Sequence, residues 1–108
     1  MDPDEFEAML TRERSRADRA GAWFSVLTLN IMAPQLQPAD LLTITEVFRD
    51  RRRATDLTGR TRDGHIAIVL PDTIYEQAQV LAASLTASLG AKGISFTHTI
   101  QVYPEFRT

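Results

Sequence analysis

Hydrophobic positions recur along the chain with two periods, and the switches between them predict the order of elements. Phe6, Met9, Leu10, Ala17 and Ala20 return at spacings of three, four and seven with Arg and Glu between them, the stripe of an amphipathic helix. Asp2 before Pro3, with Glu5 three positions on, forms an N-cap, a first-turn proline and a capping-box carboxylate, and Gly21 stops the run. Residues 23 to 32, WFSVLTLNIM, are aromatic, branched and apolar at both parities, with Asn30 the polar exception near the end. That pattern predicts a central strand covered on both faces. Pro34 and Pro38 punctuate a loop, after which Leu41, Ile44, Val47 and Phe48 trace a second helical stripe running into an arginine-rich turn.

Residues 56 to 61 and 65 to 70 then read as two short antiparallel strands joined across Arg62-Asp63-Gly64, where Asp-Gly supplies the positive φ angles of a tight hairpin. Thr73 and Glu76 have capping-box spacing ahead of a third stripe, Ile74, Ala78, Leu81, Ala82, Leu85 and Leu89, which Gly90 ends. In ISFTHTIQV, residues 94 to 102, Ile94, Phe96, His98, Ile100 and Val102 alternate with Ser95, Thr97, Thr99 and Gln101, as in a strand with one buried face. The order is a helix followed by strand, helix, strand, strand, helix, strand. This predicts a single α+β domain over residues 1 to 108, a ferredoxin-like antiparallel sheet with helices on one face and an N-terminal helix ahead of it.

Composition narrows the chemistry more than the fold. The chain has no cysteine, which removes disulfides, thiolate catalysis and sulfur-based zinc sites and makes the reducing cytoplasm the expected compartment. Its acidic start, Met1-Asp2-Pro3-Asp4-Glu5, does not resemble an export signal, and no apolar run is long enough to span a membrane. The formal charge of −2 argues against a nucleic-acid partner. Every basic residue except Lys92 is arginine, and Arg49, Arg51, Arg52, Arg53, Arg60 and Arg62 are close together. Such a cluster can grip phosphate bidentately or form a solvated surface. His65 beside Asp63 has the elements of a general base but reads as a hairpin residue, and His98 falls on the inward alternation as a core histidine. The two lack the spacing of a metal motif. Trp23 and Phe24 read as core packing, with base stacking as the other use of such rings.

Three segments resemble, in order and spacing, blocks of the GGDEF family, the diguanylate cyclases that join two GTP molecules into cyclic di-GMP. They are ERSRADRAGAWFSVLTLNI, RATDLTGRTRDGHIAIVLPDT and FTHTIQVYP. The family's five-residue signature falls on Arg62, Asp63, Gly64, His65 and Ile66, of which only Ile66 is chemically similar. The carboxylates that hold the family's two magnesium ions correspond to Asn30 and Gly64, and the glycines that admit the nucleotide correspond to Arg62 and Asp63. MAPQLQPAD is shorter than the family's guanine-reading segment, and the closing hairpin and helix of the pattern have no counterpart, as in a domain truncated at its C-terminus. The resemblance therefore implies a degenerate GGDEF-like domain of bacterial signalling without cyclase activity and without a cofactor.

One binding pattern of the family is spelled in full. Arg53-Ala54-Thr55-Asp56 matches the R-x-x-D inhibitory site, whose Arg and Asp in active relatives hydrogen-bond guanine edges and phosphates of cyclic di-GMP. Arg offers a fork of donors and Asp accepts from the N1 and N2 hydrogens. Arg60 is a candidate for a further phosphate contact, as are Arg49, Arg52 and Arg62. Alternatively, Arg53 and Asp56 pair with each other or cap the helix. The expected roles are thus a regulatory or protein-interaction module, with a protein partner or a second copy, or else a cyclic di-GMP receptor; neither nucleic acid nor membrane insertion is expected.

Overall fold

The computed structural model describes residues 2–31, 38–51, 53 and 55–104. The elements follow the predicted order: α1 (Pro3–Ala20), β1 (Phe24–Ile31), α2 (Pro38–Arg51), β2 (Leu57–Arg60), β3 (Ile66–Pro71), α3 (Tyr75–Gly90) and β4 (Phe96–Tyr103). At the start of α1 the Asp2 carboxylate accepts from the Glu5 backbone N–H at 2.8 Å, and this bond holds the Asp2 carboxyl below its ordinary pKa. At its end Gly21 adopts φ 64°, and the Ala22 N–H returns to the Ala17 carbonyl at 3.0 Å. Pro38, read as loop, instead opens α2, where its missing N–H costs no helical hydrogen bond. Pro34 and Arg52 lie outside the described residues.

The four strands are antiparallel in the order β2-β3-β1-β4, so β1 is central, as its two-sided apolar pattern predicts. Leu27 pairs with Ile68 and Ile100, and Phe24 pairs with Pro71 and Tyr103. This register sorts the side chains into two cores. On one face Leu27, Leu29, Ile66, Ile68 and Leu70 pack under α2 and α3 through Ile44, Val47, Phe48, Ala78, Ala82, Leu85 and Leu89. On the other, Phe24, Ala67 and Val69 pack under α1 through Phe6, Met9, Leu10 and Ala17.

The two helices of the ferredoxin-like unit, α2 and α3, lie on one face as expected, and α1, ahead of that unit, covers part of the opposite face. Its stripe of Phe6, Met9, Leu10 and Ala17 needs an apolar surface, and Phe24, Val26, Leu57, Ala67 and Val69 present one. Ala20, read as part of that stripe, is exposed. The contact is close at Gly59 on β2, where a Cβ would overlap the Phe6 ring. Because that ring is only 2% exposed and cannot swing away, Gly59→Ala is expected to lower stability by about 1–3 kcal/mol in chemical denaturation.

Three local readings need correction. The hairpin has a three-residue loop: Gly64 N–H donates to the Thr61 carbonyl at 3.0 Å, Thr61 N–H to the His65 carbonyl at 2.9 Å, and Gly64 alone takes positive φ, 82°. That is a turn followed by a left-handed glycine, not an Asp-Gly pair both at positive φ. The α3 cap lies one residue later than Thr73 and Glu76, with the Gln77 side-chain oxygen accepting from the Ile74 N–H at 3.0 Å. Finally, β4 is an edge strand, so its inward alternation is only half covered. Phe96, Ile100 and Val102 are half-buried, and His98 is exposed with its ring edge-on to Phe96 at 6.4 Å instead of lying in the core.

At the end of β4, Tyr103 turns to the α1 face, where its ring lies 5.3 Å from that of Phe24. Its hydroxyl donates to the Asp18 carboxylate at 3.0 Å. The hydrogen bond to Asp18 raises the phenol above its ordinary pKa of 10.0. A raised folded-state pKa means the contact favours folding below about pH 10 and is lost as pH rises through the folded value. Absorbance titration should show a phenol that ionises above the ordinary range, and Asp18→Asn should bring it back; a titration unchanged by the substitution would refute the assigned bond.

Candidate functional site

The Arg53-x-x-Asp56 turn joins α2 to β2 and lies against the β3–α3 junction. Asp56 is 3% exposed, so its carboxylate needs donors. It accepts from the Arg53 N–H at 2.9 Å, from Arg53 Nε at 3.1 Å and from Arg53 Nη2 at 3.0 Å. The same Nη2 donates to the Pro71 carbonyl at 2.9 Å and the Thr73 hydroxyl at 2.7 Å. The Arg53 side chain is nevertheless 54% exposed, because one edge of the guanidinium faces a groove.

That groove, of about 460 Å³, runs between the C-terminal end of α2 and the flank of α3, past Asp50, Arg51, Arg53, Gln77, Val80 and Ser84. Arg51 Nη2 donates from α2 to the Ser88 hydroxyl on α3 at 3.0 Å. Of the candidate ligand contacts, Arg53 and Asp56 are thus brought together, while Arg60 is not. Four positions along an extended strand carry Arg60 about 13 Å from Asp56, opposite Ile66 at the other end of β2. Arg62 forms an exposed ion pair with Asp4 at 3.3 Å, and Arg49 is exposed on α2.

Asn30 and the hairpin meet at that other end of the sheet. Leu29 pairs with Ile66, so one step further along β1 brings the exposed Asn30 level with His65 and the Gly64 turn. His65 is half-buried, and its N–H donates to Thr61 Oγ1 at 3.1 Å. Among the described residues no three His, Asp or Glu side chains converge as a metal site would require. Trp23 and Phe24, read together as core, separate: Phe24 is 1% exposed and Trp23 40%.

The sequence reading missed Thr73 and Ser25. Thr73 is 4% exposed; its hydroxyl accepts from Arg53 and donates to the Pro71 carbonyl at 2.9 Å, and its own carbonyl accepts from buried Ser25 Oγ at 2.6 Å. These contacts tie the Arg53 turn to the central strand. The available signal was Ser25, a polar residue within an otherwise apolar strand, which must find a partner when buried.

No protein-family model and no curated protein matches the chain. Solved structures do. The GGDEF domain of YfiN (TpbB) from Pseudomonas aeruginosa superposes with a TM-score of 0.79 at 24% identity, covering 96% of this chain and 76% of that one. The GGDEF domain of DgcB from Caulobacter crescentus, in complex with c-di-GMP, superposes with a TM-score of 0.80 at 11% identity, covering 94% and 71%. Diguanylate cyclase SiaD from P. aeruginosa, in complex with its activator SiaC, gives a TM-score of 0.74 at 20% identity, covering 94% of this chain and 45% of that one. No helix among the described residues is long and apolar enough to cross a membrane. The backbone that carries the Arg53 turn, the Gly64 hairpin and Asn30 is thus built on the fold of the GGDEF domains.

Proposed function

We propose that the chain is a catalytically inactive GGDEF-like module of bacterial signalling, acting through regulatory or protein contacts. The observation that carries this reading is the donor set at the end of β1. GTP condensation in the family uses two magnesium ions bound by carboxylates, and hard cations select charged oxygen ligands. Here Asn30 offers one neutral amide oxygen and Gly64 no side chain, so the residues present do not fit the ion pair. Arg62 and Asp63 further crowd the turn where the family's glycines let a nucleotide approach. SiaD, which carries this fold over 45% of its chain, is a precedent for a protein of this fold in complex with a protein activator. Incubated with GTP and Mg²⁺ or Mn²⁺, the purified chain is expected to produce no cyclic di-GMP, and chromatographic detection of that product would overturn the proposal.

A second reading, a cyclic di-GMP receptor, is favoured by one observation: the groove beside Arg53, whose guanidinium is half-exposed toward it. The DgcB domain crystallised with c-di-GMP shares the fold. Against it, Arg53 Nε and Nη2 already bond Asp56, Pro71 and Thr73, so a ligand using these donors must break existing bonds. Calorimetric titration separates the readings. The module reading expects no heat from cyclic di-GMP, whereas the receptor reading expects saturable heat that falls at least about tenfold in affinity for Arg53→Lys, which keeps the charge but loses the fork.

A further inference from the structure

We propose that the pocket between α1 and the β1–β4 strand pair binds a small aromatic carboxylate, its ring on the apolar floor and its carboxylate on Arg14. The site lies on the α1 face of the sheet, whereas the Arg53 groove lies on the face of α2 and α3. Leu10 and Arg14 stand about one helical turn apart on one flank of α1. Facing them, the strand register sets Phe24 opposite Tyr103 and Val26 opposite Gln101, and each cross-strand pair projects from one side of the sheet. These side chains line a cavity of about 330 Å³, at the small end of the range of about 300–1,000 Å³ typical of ligand sites. Its floor is held in place. The Phe24 and Tyr103 rings stack at 5.3 Å, and the Tyr103 hydroxyl donates to Asp18 at 3.0 Å, so little ordering remains for a ligand to impose.

Charge selects the ligand. Among the described residues, neither the Arg14 guanidinium nor the Gln101 side-chain amide has a hydrogen-bond or ion-pair partner. Asp18, one turn beyond Arg14, turns its carboxylate to Tyr103 instead. The charge of Arg14 opposes the effect of Asp18 on the Tyr103 phenol, so the guanidinium lies within electrostatic reach of the pocket's aromatic end. Arginine offers two parallel N–H donors that match the two oxygens of a carboxylate. One cation balances one such anion, whereas a phosphate dianion would keep an uncompensated charge beside Asp18. The rest of the ligand meets Leu10, Phe24, Val26 and Tyr103, where a ring gains by burial and by edge or offset stacking and a polar body does not. The Gln101 amide leaves a donor and an acceptor for a ring substituent.

The test is an NMR titration of the full chain with phenylacetate as the probe, read from backbone and side-chain amide resonances. The expected result is a saturable shift at Leu10, Arg14, Val26 and Gln101. Arg14→Gln, at an exposed position outside both cores, should raise the dissociation constant at least about tenfold, with circular dichroism confirming that the variant is folded. Phenylacetamide, which keeps the ring without the charge, should bind more weakly by a similar factor, and acetate, which lacks the ring, should give no saturable shift at these residues. The proposal is overturned by the absence of a saturable shift with phenylacetate, by shifts centred on Arg53 instead, by an Arg14→Gln variant that binds as wild type does, or by equal affinity for phenylacetamide or acetate. Each of these leaves the inactive-module reading standing, because that reading falls on cyclic di-GMP production, and the receptor reading is decided by calorimetry with cyclic di-GMP.

Discussion

Phe6→Ala is expected to lower the free energy of unfolding by about 3–5 kcal/mol, and to do so in a single transition seen alike by helical and sheet signals. Phe6 is 2% exposed and belongs to the second core, lying over Gly59 and packed with Ala67, Val69 and Phe24 of the same sheet face. The absence of a side chain at Gly59 makes room for the ring. Truncation leaves a void that neighbours cannot fill, since the nearest wall is backbone of an edge strand held by β3. Losing the ring also weakens the docking of α1, and with it the Asp18–Tyr103 contact. A denaturation midpoint unchanged by the substitution would show that α1 is an appendage and not part of the domain's core.

Arg53→Ala is the second large effect, with an expected loss of about 2–4 kcal/mol. The argument rests on an asymmetry in exposure, 54% for the Arg53 side chain against 2% for that of Asp56. Among the described residues, removing the guanidinium leaves the buried carboxylate with the backbone N–H of residue 53 alone, and also takes one donor from the Pro71 carbonyl and the donor from the Thr73 hydroxyl. Removing the carboxylate instead frees an arginine that already reaches water, so Asp56→Ala should cost less, about 1–2 kcal/mol. Urea denaturation of the two variants gives the order directly. An Asp56→Ala protein less stable than Arg53→Ala would mean that the turn is held by the carboxylate's bond to the Arg53 N–H and not by the ion pair. Either way, residues that spell a ligand motif also lock α2, β2 and the β3–α3 junction together, a structural use of the same chemistry.

Legibility in the sequence depended on how far apart the deciding atoms lie along the chain. The α1 cap, the Gly21 stop and the existence of the 61–65 turn each need contacts within five residues, and all were readable. The positions of Asn30, Gly64, Arg53 and Asp56 followed from family resemblance, and the fold brings them to two opposite ends of β2 and β3. Thr73 was misread because Thr at capping-box spacing before a helix is a common N-cap. Its hydroxyl is taken here by Arg53, twenty positions earlier in the chain, and Gln77 caps Ile74 instead.

By itself, then, the sequence determined the kinds and order of the elements, the central place of a strand apolar at both parities, and the absence of acidic side chains at positions 30 and 64. A period states which residues share a face, and a cap states where a helix begins; both are local. Tertiary structure decided what covers each face. It set α1 against the sheet opposite α2 and α3, closed the Arg53–Asp56 pair on itself beside a groove, and left β4 at an edge with His98 in solvent. Those outcomes depend on surfaces brought together from distant parts of the chain, where burial is settled by which apolar area finds a partner.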